Sequence, residues 1–194
     1  MSLVATSRRA RLRTATHASH ERLEKISGRL TSPGIYSAYL RAQYRFRAPL
    51  EADVARLWPN EWSTFKNTII AQALLQDVCD VDGAAAAARL ERDVIDTACP
   101  RAAQASRVAS VLGCLYVLEG ASLGARLLLI DAKQLGHTSE KGARHLAQQC
   151  ESGAVWRAFQ ILLEDAGHVE MNDVEDAAVK AFDLACEAYQ LEFS

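Results

Sequence analysis

Gly113-Cys114-Leu115-Tyr116-Val117-Leu118-Glu119-Gly120-Ala121-Ser122-Leu123-Gly124 is the stretch on which the reading of this chain turns. Its apolar residues recur with helical spacing, yet it holds three glycines, and each glycine inside a helix costs about 1 kcal/mol relative to alanine. Something must offset that cost. Gly120 and Gly124 stand four apart, so both open the same face and let another surface approach the backbone. Two occupants suit such a face: a second helix packed through small residues, or a flat ligand lying across a kink. The segment alone does not separate them.

Outward from this segment the pattern stays helical. Alanine, leucine, glutamate and arginine dominate, with 10 Gly and 4 Pro among 194 residues, and no run alternates as a strand would. The periodicity predicts helices over about 5–27, 33–57, 62–80, 84–96, 102–134 (broken near the glycines), 138–149, 152–166 and 172–191. Breaks fall at Ser32-Pro33-Gly34, Trp58-Pro59-Asn60, Val81-Asp82-Gly83, Cys99-Pro100 and Gly167. Ser32 before Pro33, and Asn60 before Glu61, read as helix starts. Pro49 should kink the second helix. The expected fold is a single all-α domain over residues 1–194.

Composition narrows the function. Twenty-two Lys+Arg against 24 Asp+Glu give a net charge of −2, which argues against nucleic acid as a partner. The longest charge-free apolar stretch near the middle, Val108 to Leu118, ends at Glu119, so no membrane span is expected. Cys79, Cys99, Cys114, Cys150 and Cys186 are an odd set without a C-x-x-C, read as buried free thiols in a reducing compartment. The first 20 residues carry Arg8, Arg9, Arg11 and Arg13 and no acid, a transit-peptide composition. They run into a patterned helix, and the cytoplasm is the expected location.

That first helix carries chemistry. At 100° per residue Arg13, His17, His20 and Glu24 fall within roughly 60° of one another, beside an apolar strip of Leu12, Thr16 and Leu23. A histidine on that border is either a packed, hydrogen-bonded residue or a ligand aimed into a dry pocket, with Arg13 and His17 reaching an anion at its rim. Glu24 can take the second ring N–H of His20, the usual support of a metal-bound imidazole. His17 with His20 lacks a third ligand for zinc, and the two E-x-x-H motifs of a di-iron carboxylate bundle are absent. His137, His145 and His168 are read as solvated.

The two segments together resemble the heme oxygenase family in its soluble bacterial form. Leu12-Arg13-Thr14-Ala15-Thr16-His17-Ala18-Ser19-His20 is similar to the L-[KR]-x-A-T-x-x-x-H core of the family's proximal helix. Tyr116 to Gly124 is similar to its glycine-kinked distal helix. Tyr39 to Glu51, ending Phe46-Arg47-Ala48-Pro49-Leu50-Glu51, is similar to the second helix, and Trp156 to Phe159 to a late W-x-x-F. The resemblance implies heme held between the first and the distal helix as both cofactor and substrate. O2 and electrons convert it to biliverdin with release of CO and iron. It implies His20 as the axial ligand, Glu24 as its orienter and Gly120 and Gly124 as the distal glycines. Arg13, His17, Tyr116 and, more weakly, Tyr189 stand where such proteins contact the propionates, and Arg126, just beyond Gly124, is placed to hold one where the last helix lacks a second basic residue. Ala121 replaces the aspartate of the mammalian type, which opens an alternative: a non-catalytic heme-binding or trafficking protein on the same fold. A helical interaction protein with no heme is the remaining alternative. No G-x-G-x-x-G is present, so the electrons come from a separate protein, a ferredoxin or an NADPH-dependent reductase. A monomer is expected.

Overall fold

A computed structural model describes residues 7–95 and 106–194. Its helices are α1 (Arg8–Ser27), α2 (Pro33–Arg56), α3 (Ala71–Asp82), α4 (Ala84–Ile95), α5 (Arg107–Gly120), α6 (Ser122–Gln134), α7 (Arg144–Glu151), α8 (Gly153–Asp165) and α9 (Met171–Glu192), with a 3₁₀ turn at Asn60–Trp62. Among the described residues there is no strand; the only pairings are isolated bridges from Thr138 to Lys141 and Gly142.

The last helix organises the others. α9 presents Val174, Ala177, Ala178, Ala181, Ala185 and Ala188 as a small-residue face, and α1, α2 and α5 all pack against this helix. Against that face Gly113 of α5 comes so close that an added Cβ would lie 2.6 Å from Ala177 Cβ, 2.6 Å from Ala178 N and 2.7 Å from Val174 O. The first of the three glycines is therefore a packing glycine. α1 lies on another side of α9, through buried Leu12, Thr16 and Ser19. Arg11 Nε donates to Glu175 Oε1 at 2.7 Å, and Arg22 pairs with Asp183. The exposed N-terminus of α1 is covered by Glu164, which accepts from Arg8 N and Arg9 N, an anion where the helix dipole is positive.

Helix starts follow the sequence where a local cap decides them. Ser32 accepts from Ile35 N ahead of Pro33, and Ser7 and Ser106 do the same for α1 and α5. They depart from it where a distant residue decides. The helix expected over 62–80 begins only at Ala71, because Glu51 of α2 accepts from Ile70 N and Ala71 N and starts it there. The helix expected over 138–149 begins at Arg144. Ahead of it the chain turns through Gly142, whose φ of +80° suits glycine and whose carbonyl accepts from Tyr36 Oη. The 102–134 helix breaks at Ala121, between the glycines; its residues 102–105 lie outside the described region.

Two compositional expectations change. Of the described cysteines only Cys186 is buried; Cys79 is exposed and Cys114 and Cys150 are partly so, while Cys99 lies outside the described residues. Arg107–Gln134 taken together is long and apolar enough to cross a membrane by length and composition alone. Half of its most apolar window is buried in the fold, as in a core helix.

Gly113→Ala is expected to destabilise the protein by about 1–3 kcal/mol, since the atoms its methyl would meet include backbone that has nowhere to go. Urea unfolding, with midpoint and slope compared between variant and wild type, checks this.

Candidate functional site

On α1 the four residues that share an edge remain at the surface. His20 is 56% exposed in its side chain, with its ring edge-on to Phe182 of α9 at a centroid distance of 5.9 Å. Its Nδ1 lies 3.5 Å from Glu24 Oε1, one turn on. Nε2 has no partner among the described residues and is free to bind a ligand. His17 Nε2 sits 3.4 Å from Glu21 Oε1, and Arg13 is exposed.

The second half of the site is the break between α5 and α6. Ala121 N donates to Val117 O, Gly124 N to Ala121 O, and Ser122 Oγ to Glu119 O, so the turn is closed by its own backbone. A Cβ on Gly124 would meet nothing within 4 Å, and one on Gly120 only the edge of Trp156 at 3.8 Å. Among the described residues nothing packs on this face at Gly124, in contrast to Gly113. Leu123, Leu127 and Ile130 continue it as an exposed aliphatic stripe, Leu123 being 69% exposed. Tyr116 is 6.0 Å from the Trp156 ring, which stacks on Phe159, so Tyr116, Gly120 and the W-x-x-F residues form one cluster. Arg126 is exposed on α6.

An ionic layer lies behind the break. Arg47 is fully buried; its Nε donates to Glu51 Oε1 at 3.0 Å and its Nη1 to Leu118 O at 3.3 Å, one turn before Ser122. Glu119 is also buried and accepts from Thr68 N at 2.7 Å and Thr68 Oγ1 at 2.8 Å. Burial pushes its carboxyl above the ordinary range, against the pull of the Thr68 donors and Arg47. Arg47 and Glu119 are residues that sequence reasoning missed. The signal was available: Gln43, Arg47 and Glu51 form a polar stripe at four-residue spacing in an otherwise apolar part of α2.

Three expectations need correction. Tyr189, a weak candidate for contact with an anion at the rim, is buried in the core, where its hydroxyl accepts from Gln43 Nε2 at 2.7 Å; burial holds that phenol well above its ordinary pKa. His145, read as solvated, is fully buried. Its Nδ1 lies 2.8 Å from Asp77 Oδ2, which also accepts from the His145 backbone N–H, and its Nε2 faces Tyr39 Oη at 3.4 Å. His137 is half-buried, stacked on Tyr36 at 4.4 Å. His168 is exposed, as expected. Among the described residues no three His, Cys, Asp or Glu gather as a metal cluster.

Buried Asp77 and His145 share one proton arrangement. Asp77 is held below the ordinary carboxylate range: burial works against ionisation, but its hydrogen bonds from His145 and Arg144 outweigh it. His145 is held below the ordinary histidine range, chiefly because burial penalises the cation. The neutral Nδ1–H tautomer, donating to Asp77 and accepting from Tyr39, fits both. A histidine whose pKa is depressed on folding binds its proton more readily in the unfolded chain. Its contribution is therefore complete above the unfolded value of about 6.5 and is lost as pH falls from there toward the folded value. Unfolding free energy is expected to decline between about pH 7.5 and 5.5, with a shallower decline in His145→Gln; urea titrations across that range measure both slopes.

Comparison with known proteins bears on the family and the fold. Residues 7–190 match the family model described as heme oxygenase. Over 184 residues the chain is 30% identical to heme oxygenase PigA of Pseudomonas aeruginosa, covering 87% of this chain and 82% of that protein. In fold it resembles the heme oxygenase of Neisseria meningitidis, solved with NO and CO bound, with a TM-score of 0.70 and 24% identity over 97% of this chain and 93% of that one.

Proposed function

The chain belongs to the heme oxygenase family, and on that premise we propose that it opens heme oxidatively to biliverdin, releasing CO and ferrous iron. The observation that carries the reading is the glycine face at Gly124, which none of the described residues fills, on a helix broken at Ala121 within the matched span. An unfilled glycine inside a helix is costly unless something else lies there.

The residues present fit heme. His20 offers Nε2 to a ligand, and Glu24, whose Oε1 lies 3.5 Å from Nδ1, stands one turn on where it orients the ring. Phe182 supports the ring from below. Leu123, Leu127 and Ile130 supply an apolar wall, and Gly120 and Gly124 let the backbone come close. Arg13, His17, Arg126 and the Tyr116 hydroxyl are the groups proposed to meet the propionates at the rim. Heme, when bound, supplies both the iron at which O2 is activated and the carbon that is oxidised. The protein's part is to hold the ring plane, exclude bulk water from the distal side and present backbone at the break, where Ala121 brings no acid of its own. Electrons come from a separate donor, a ferredoxin or an NADPH-dependent reductase. The protein acts as a single-domain monomer in the cytoplasm.

Ferric heme titrated into the protein, then ascorbate added in air, tests the reading by visible spectroscopy. A saturating Soret band that decays while a broad red band grows is expected. A band that persists with ascorbate and with a ferredoxin donor makes the protein a heme carrier, and no band removes heme altogether. Two variants locate the site. His20→Ala is expected to lose the imidazole-type spectrum and nearly all turnover. Gly124→Leu is expected to keep its fold, since nothing stands within 4 Å, yet to bind heme at least about tenfold more weakly, or about 1.4 kcal/mol. Wild-type heme affinity in Gly124→Leu would place the ligand elsewhere.

A further inference from the structure

The proximal and distal helices share no broad packing face; each is carried by α9 and its neighbours. They are joined directly at one end. α1 stops at Gly28, whose φ of +56° turns the chain away and whose N–H closes on Glu24 O. The next residue, Arg29, reaches α6 and forms a two-point pair with Asp131: Nε to Oδ2 at 2.9 Å and Nη2 to Oδ1 at 2.6 Å. Asp131 is 3% exposed in its side chain although Arg29 is 62% exposed, and it also accepts from Leu30 N–H. A carboxylate buried in the last turns of α6 thus takes three donors from the connection that follows α1.

The position of this joint matters more than its strength. Counting back along α1 at 1.5 Å per residue, His20 stands about 12 Å from Gly28. Counting back along α6, Gly124 stands about 10 Å from Asp131. The imidazole and the open glycine therefore lie at nearly equal distances from a shared vertex, one on each arm. The geometry points to Arg29 and Asp131 as positioning residues that close one end of the cleft between α1 and α6 and fix its width, and so govern how long a planar ligand is retained. This rests on the heme reading above. The guanidinium is planar and meets the carboxylate at two points, so it fixes direction as well as distance; a lysine at 29 keeps the charge and loses the second point.

Stopped-flow transfer of ferric heme from the holoprotein to excess apomyoglobin tests this. Arg29→Ala and Asp131→Asn are each expected to release heme on the order of tenfold faster than wild type, the loss of one charge-assisted contact at the joint, with Arg29→Lys between them. Urea unfolding of the heme-free variants is run alongside. Arg29→Ala leaves the Asp131 carboxylate without its cation and is expected to unfold at lower urea than wild type. Arg29→Lys keeps the charge, so faster release from Arg29→Lys at wild-type stability is not a general loosening. Asp131→Asn keeps the side-chain shape and can still accept from Leu30. Release at the wild-type rate in both variants overturns the clasp, as does release that changes only in step with overall stability. Two controls separate the readings: if His20→Ala retains heme as wild type does, His20 is not the ligand and the clasp is assigned to the wrong cleft, and if wild type takes up no heme, the heme reading itself fails.

Discussion

At Gly113 the backbone of α5 lies against the backbone of α9 with no room for a side chain between them. That contact sets the height and rotation of α5, and through it the direction in which Gly120, Ala121 and Gly124 face. α9 also carries α1, so a single alanine-rich helix fixes the two elements between which the proposed site lies. Such an arrangement tolerates little: close-packed helices answer to changes of a single methyl, and a shift at one contact moves everything beyond it. The same residue type then does opposite work on two successive helices: Gly113 of α5 admits a neighbour, and Gly124 of α6 meets none among the described residues.

The break at Ala121 is supported from behind by charge. Arg47, wholly buried, spans from Glu51 to the Leu118 carbonyl, and Glu51 in turn starts α3 at Ile70 and Ala71. Buried ion pairs contribute little net stability, because desolvation offsets much of the attraction, but losing one partner strands the other in a medium that cannot solvate it. Their value lies in specifying one arrangement over others. Here the second helix, the start of the third and the end of the fifth are tied through two side chains, Arg47 and Glu51, and Glu119 extends the tie to Thr68.

Much of this was legible in the sequence, and the boundary follows a physical line. Ser32-Pro33, the α1 edge of His20 and Glu24, and the break near Gly120 rest on residues within one or two turns, and local pattern carries them. The start of α3 was misplaced because its cap, Glu51, stands twenty residues away from Ala71. His145 was read as solvated because the group that makes its burial tolerable, Asp77, is 68 residues away. Tyr189 has the chemistry to bind an anion, but nothing in α9 itself reveals that Gln43 of α2 already engages its hydroxyl. Arg47 was the avoidable omission, since a four-residue polar stripe in an apolar helix is a local signal.

Leu123, Leu127 and Ile130 form an aliphatic row that a water-facing helix ordinarily avoids. Any apolar partner that covers this row binds the folded chain and not the unfolded one, and so adds RT ln(1 + [L]/Kd) to its stability. At a hundredfold excess over Kd that is about 2.7 kcal/mol, a large share of the margin of a typical domain. A chain with this row covered therefore opens less often to proteases and to aggregation than one with it bare.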